Sequence, residues 1–133
     1  MQAQPLPAKT GVILVDHGSK HAAANDMLVH VAQAYREATG AAIVEPAHME
    51  LAEPTIEQAF ARCVEQGARL VIVHPYFLSP GRHSTTDIPR LAAQAAANHP
   101  GVAYRVTEPL GLDPRLTDVI QRRVEETLDT LDA

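Results

Sequence analysis

Four short apolar runs alternate along the chain with four segments whose apolar residues recur every three or four positions. Gly11 to Asp16 (GVILVD) is a continuous apolar run, the pattern of a buried strand. Met27, Leu28, Val31, Ala32 and Tyr35 follow at helical spacing, and Gly40 ends that segment. Ala41 to Ala47 reads as a second strand, weakened by Pro46, which cannot donate to a ladder. The next helix is expected to open with Pro54 in its first turn, placing Ile56, Ala59, Phe60, Cys63 and Val64 on one face. Arg69 to Phe77 (RLVIVHPYF), rich in β-branched and aromatic residues, carries the strongest strand signal. A loop from Leu78 to Thr86 leads into a third helix carrying Ile88, Leu91, Ala92 and Ala95, and Val102 to Val106 is a fourth strand. Asp113-Pro114 then supplies an N-cap and a first-turn proline ahead of the stripe Leu116, Val119, Ile120, Val124, Leu128 and Leu131.

Strand followed by helix, four times over and with no linker, predicts parallel strands joined by right-handed crossovers. The expected fold is a three-layer α/β domain, a doubly wound, flavodoxin-like sheet of four parallel strands in the order 2-1-3-4. Residues 11–133 form the single domain, behind a loose polar arm of residues 1–10. At 133 residues and 46% hydrophobic, the chain has the length and apolar content for one core without staples. A four-stranded sheet also leaves an apolar helix face for a second copy to cover, so a homodimer is expected.

Composition narrows the function classes. One cysteine, Cys63, excludes an internal disulfide and a cysteine-ligated iron–sulfur cluster. The first ten residues lack the apolar core of a signal peptide, and no apolar run approaches the ~20 residues of a membrane span. A cytoplasmic protein without a membrane partner is expected. A formal charge of −5 gives no basic face for nucleic acid.

In doubly wound sheets ligands bind beyond the carboxyl ends of the strands, near the point where the strand order reverses. Three metal-ligating side chains fall there: His17 after the first strand, Glu50 after the second and His83 after the third. Each is 33 residues from the next, one strand–helix unit. In the order 2-1-3 these ends are lateral neighbours ~4.8 Å apart, so their side chains can converge on one ion. Two imidazoles and a carboxylate suit iron, cobalt, nickel or zinc and leave coordination positions open, as in catalytic sites. The loop around His83 adds a candidate anion site: Arg82 as a clamp, and Ser84, Thr85 and Thr86 as hydroxyls and N–H groups before a helix. Ser19 supplies a polar turn beside His17. His74, inside the third strand, reads as a core or hydrogen-bonded residue rather than a ligand; His48 shares a side with Glu50 and supports the site or the fold. His21, His30 and His99 read as surface residues.

These residues carry a family resemblance. Val15-Asp16-His17-Gly18-Ser19, Met49-Glu50, and Pro75-Tyr76-Phe77-Leu78-Ser79-Pro80-Gly81-Arg82-His83 running into Asp87-Ile88-Pro89 resemble the short-form sirohydrochlorin chelatases of the CbiX/SirB group, class II chelatases. The resemblance covers nearly the whole chain from Gly11 onward. It implies that His17 and His83 are paired imidazole ligands, that Glu50 is the acidic metal-site residue, and that short forms pair as homodimers. The implied reaction is insertion of Co²⁺ or Fe²⁺, with Ni²⁺ as a third candidate, into the tetrapyrrole sirohydrochlorin, on the way to cobalamin or sirohaem. The metal is then a substrate, and no iron–sulfur cluster or nucleotide is called for.

Three other readings compete. A carrier could hold metal or tetrapyrrole without turnover. A serine hydrolase built on Ser19 and His17 lacks a Gly-x-Ser-x-Gly elbow, and a nucleotide or FMN binder lacks a glycine-rich phosphate loop. Imidazole ligates only when unprotonated. Metal insertion measured against pH should therefore collapse below pH ~6.5; an unchanged rate at pH ~5 would exclude histidine ligation.

Overall fold

The computed structural model describes residues 6–131. Residues 1–5 of the expected N-terminal arm, and residues 132–133, lie outside the described residues. Nine elements follow one another: β1 (Thr10–Asp16), α1 (Ala22–Thr39), β2 (Ile43–His48), α2 (Ile56–Glu65), β3 (Leu70–Pro75), a π-helical turn (His83–Asp87), α3 (Ile88–Ala97), β4 (Ala103–Val106) and α4 (Pro114–Leu131). The strands form one parallel sheet in the order β2-β1-β3-β4, as the alternation of strand and helix patterns predicts.

β1 is central and its residues from Thr10 to Val15 are buried, which is why Val12 to Val15 run apolar without alternation. Gly11 lies where a Cβ would stand 3.0 Å from Cβ and Sγ of Cys63, so the absent side chain lets α2 close onto the strand. Pro46 is tolerated because β2 is an edge strand, with one side of its ladder unpaired within the sheet. The end of the arm is tied down: the Lys9 carbonyl accepts from the Arg69 N–H at 2.7 Å, linking the start of β1 to that of β3.

Helices lie on both faces. On one, α2 and α3 bury Phe60, Cys63, Ile88, Ala92 and Ala95 against Ile13, Val15, Val71 and Val73. On the other, α1 packs Leu28 and Ala32 onto Val12, Leu14 and Val44. α1 ends at Gly40 in the left-handed conformation (φ 71°), its N–H returning to the Arg36 carbonyl. Pro54 stands outside α2 rather than in its first turn. Thr55 takes the N-cap because its hydroxyl accepts from the Gln58 N–H while the Gln58 side chain accepts from the Thr55 N–H, a reciprocal pair that Pro54 could not make. His99 is half-buried rather than a surface residue, its ring stacked on Phe60 at 5.5 Å. α4 has the predicted stripe but no buried residue.

Phe60 is fully buried among residues of α2, α3 and the sheet. Phe60→Ala should lower unfolding free energy by ~3–5 kcal/mol, read as a fall in the urea midpoint. Burial, and secondarily the charge of Glu45, push the Cys63 thiol up to about 12. Cys63 should therefore ignore thiol reagents in the native protein and react on unfolding.

Candidate metal centre

The carboxyl ends of β1, β2 and β3 carry the polar cluster. β1 ends at Asp16, and the chain turns through His17, Gly18 and Ser19 into α1. Gly18 adopts φ +94°, and a Cβ there would lie 1.9 Å from the Glu50 carbonyl oxygen. The turn is thus closed directly on the end of β2, and it stays closed because the Glu50 N–H donates to the His17 carbonyl at 3.1 Å and the Met49 N–H to that of Asp16 at 2.8 Å. His17 and Glu50 therefore emerge side by side, and the His17 Nε2 is 2.8 Å from a Glu50 carboxylate oxygen. The other ring nitrogen, Nδ1, donates to the Gly18 carbonyl at 3.1 Å, the one role a carbonyl leaves it. Nε2 and the carboxylate can then share a proton or, in its place, a cation.

His83 approaches from the other side. Its ring centroid is 5.0 Å from that of His17, edge to face, and 6.5 Å from that of Phe77. Asp87 accepts from His83 Nδ1 at 2.9 Å, one helical turn on, which leaves Nε2 as the electron-pair donor. This is the outer carboxylate that commonly orients a ligating imidazole. The spacing is that of a wide turn: the Ile88 N–H reaches back five residues to the His83 carbonyl. Below the cluster, His48 is buried and its Nδ1 meets the Asp16 carboxylate at 2.6 Å. Register makes that pair, since Asp16 and His48 are opposite one another at the last step of the β1–β2 ladder.

Three predicted donors, His17, Glu50 and His83, thus lie at one edge, with His17 bonded to Glu50 and adjacent to His83. Among the described residues no group of three His, Cys, Asp or Glu side chains stands as a ready-made metal cage. Of the predicted anion-binding residues, Arg82, Thr85 and Thr86 are exposed beside His83. Ser84 is buried instead: its hydroxyl accepts from the Gly81 N–H at 3.0 Å and donates to the Gly81 carbonyl at 3.2 Å, closing the loop on itself. The helix also begins earlier than expected. The Thr85 N–H already donates to the Gly81 carbonyl, so Ser84, Thr85 and Thr86 lie inside the helix, and the first-turn N–H groups are those of Arg82, His83 and Ser84. Pro80-Gly81 breaks the chain ahead of that turn, and the Ser84 hydroxyl fastens it back to Gly81. Ser19 likewise organises its own turn, its hydroxyl accepting from the His21 N–H and its N–H donating to Asn25. His74 donates or accepts at 2.7 Å with the Thr107 hydroxyl, and desolvation lowers its pKa.

Asp87 and the Asp16–His48 pair acquire roles that the sequence pattern did not assign. Asp87 is four residues from His83, a helical spacing hidden by reading Leu78 to Thr86 as loop. A cleft of about 670 Å³ lies between the loop Leu78–Pro80, which leads to His83, and the segment from Gly111 and Leu112 into α4, where Leu116 and Ile120 line it.

Fold and edge together define a doubly wound α/β protein with imidazoles and carboxylates gathered at the carboxyl ends of β1, β2 and β3. The chain belongs to the CbiX family, whose model matches residues 11–127. It is 52% identical over 118 residues to the chloroplastic sirohydrochlorin ferrochelatase of Arabidopsis thaliana, covering 89% of this chain and 52% of that protein. It is 36% identical over 135 residues to the sirohydrochlorin cobaltochelatase of Methanocaldococcus jannaschii, covering 82% of this chain and 93% of the relative. Among solved structures it resembles the sirohydrochlorin chelatase SirB of Bacillus subtilis subspecies spizizenii in complex with cobalt, with a TM-score of 0.83 and 30% identity over 89% of this chain and 50% of that one. The chain spans about half the length of the plant and Bacillus relatives and nearly all of the archaeal one. No helix among the described residues is long and apolar enough to cross a membrane.

Gly18→Ala would force a side chain into the Glu50 carbonyl at a left-handed position. It should cost ~1–3 kcal/mol of stability and weaken Co²⁺ binding, read by denaturation and calorimetric titration of the same sample; unchanged values in both would remove Gly18 from the site's architecture.

Proposed function

We propose that the chain inserts a divalent metal, Co²⁺ or Fe²⁺, into sirohydrochlorin, as a homodimer in the cytoplasm. The observation that carries this reading is the approach of the His17 and His83 rings to 5.0 Å at the sheet edge, beside Glu50, in a chain similar to a ferrochelatase and a cobaltochelatase of the same tetrapyrrole. The lone, buried Cys63 suits a reducing compartment.

The chemistry follows from the donors. The metal ion is a substrate: it arrives, is held, and leaves in the macrocycle. An ion entering between His17 Nε2 and Glu50 replaces their shared proton, and the Nε2 of His83, held in one tautomer by Asp87, is the second imidazole donor. Three carboxylates, Asp16, Glu50 and Asp87, make the edge attractive to a dication. Borderline imidazole nitrogen favours cobalt, iron and nickel over magnesium. An exposed site with few ligands also lets the ion go, which a closed cage would prevent. Metallation replaces two pyrrole N–H protons by one dication. Glu50 and His17, both relieved of the ion as it transfers, take one of those protons each and pass them to solvent. Arg82, with the exposed Thr85 and Thr86, suits the carboxylate rim of the tetrapyrrole.

Purified protein mixed anaerobically with sirohydrochlorin and Co²⁺ or Fe²⁺ should give many turnovers above a protein-free control, followed by the macrocycle's absorption. Stoichiometric binding without turnover would make the chain a carrier. His17→Ala and His83→Ala should fall to background while remaining folded, since both side chains lie half-exposed, one on a loop and the other on the π-helical turn, and contribute little to the core. Asp87→Ala should weaken metal binding ~10- to 100-fold by freeing the His83 ring; wild-type affinity would reduce Asp87 to a structural residue.

A further inference from the structure

Beyond β2 the chain turns sharply, through a residue ill suited to the turn. Among the described residues two non-glycines take a left-handed φ, Lys9 at 63° and Leu51 at 71°. The fold accounts for Lys9, whose carbonyl receives the N–H groups of Arg69 and Leu70 at the start of β3. Leu51 carries a bulky side chain, and in this conformation its Cβ crowds the following carbonyl oxygen, a clash that glycine avoids and asparagine tolerates. Leu51 is also 54% exposed, so its side chain gives little back through burial. Glycine would serve the fold at least as well. Backbone strain held at an exposed apolar residue points to function rather than to stability.

The surroundings hold that residue in place. The His48 N–H donates to the Pro54 carbonyl at 2.8 Å, which closes the ends of the loop from Met49 to Glu53. Within the loop the Glu50 N–H is fastened to the His17 carbonyl, and the Glu53 carboxylate accepts from the Gln58 side chain at 2.8 Å. Leu51 stands at the middle of this tied loop, its Cα ~3.8 Å from that of Glu50. A rigid mount, a strained backbone and an open apolar side chain therefore coincide beside a metal donor. Beyond β3, in the loop that leads to His83, Leu78 is 69% exposed. Since β1 lies between β2 and β3, open apolar residues follow the strands on both sides of His17.

We propose that Leu51 is a substrate-contact residue, whose side chain supports the apolar face of the tetrapyrrole while the ring nitrogens meet the ion at His17, Glu50 and His83. This rests on the chelatase reading above and assigns a contact to its larger substrate. A tetrapyrrole has two kinds of surface, a flat apolar face and a rim that carries carboxylates. Arg82 suits the rim. The face needs an apolar partner close to the metal donors, and Leu51 is the exposed apolar residue joined directly to one of them. Its surface lies in water until the macrocycle arrives, so the hydrophobic gain is realised on binding and not on folding. Such a contact does not distinguish a ring holding protons from a ring holding metal. It therefore acts on KM and leaves kcat alone.

Leu51→Gly and Leu51→Asn should show urea midpoints at or above that of the wild type, because both residues suit the left-handed backbone. Both should bind Co²⁺ as the wild type does in a calorimetric titration. Both should bind sirohydrochlorin ~10-fold more weakly, followed by the macrocycle's absorption without metal. KM for sirohydrochlorin should rise to match at unchanged kcat, and Leu51→Met should restore it. Wild-type macrocycle binding in the Gly and Asn variants would overturn the proposal and leave the chelatase reading intact. Equal losses of Co²⁺ and macrocycle binding would also overturn it, since Leu51 would then act by placing Glu50. A wild-type chain that binds no sirohydrochlorin would overturn both readings.

Discussion

β1 is hydrogen-bonded along both edges, to β2 from Gly11 to Asp16 and to β3 from Thr10 to Val15, and the site depends on that double pairing. The chain leaves β1 for β2 on one side and reaches β3 on the other, so the strand order reverses at β1, and the crevice opens at its carboxyl end. A parallel ladder aligns strands at their starts. Equal unit lengths then deliver His17, Glu50 and His83 to the same edge. The close approach of Gly18 to Glu50 locks the first two together more tightly than strand spacing alone would.

The site divides its labour by rigidity. Buried His48 pairs with the partly exposed Asp16 at the end of the ladder, a firm floor. His17 and Glu50 sit above it on a turn held by backbone bonds, and His83 stands on a wide helical turn braced by Asp87. The donors are therefore held by structure that does not itself bind the ion. That division suits the metal passage proposed above: the scaffold keeps its geometry while the donors exchange protons for an ion, and the exposure of His17, Glu50 and His83 suits release.

The departure from a complete three-layer fold lies at the C-terminal end. β4 pairs with β3 over four residues, and the helix that would cover them turns outward from the Leu78–Pro80 loop, the segment that leads into His83. An apolar helix stripe on α4 and an apolar groove beside β3 are thus both left open among the described residues.

The alternation of strand and helix patterns, the 2-1-3-4 order and the gathering of His17, Glu50 and His83 were legible in the sequence, because burial on two faces demands apolar runs and parallel crossovers admit few topologies. Family motifs at the same residues sharpened the chemistry. Local periodicity could not tell that Leu78 to Thr86 already contains a helical turn: Ser84, polar by type, is buried because it closes onto Gly81, a contact defined by the loop's path. Asp16 and His48 become partners only through register, 32 residues apart. Most of all, the stripe of α4 reads in sequence as a helix facing a core. Periodicity states that a face is apolar; only the tertiary structure decides which surface, in which chain, can cover it, because that depends on where Leu110 and Gly111 anchor the helix and on the groove left open beside β3.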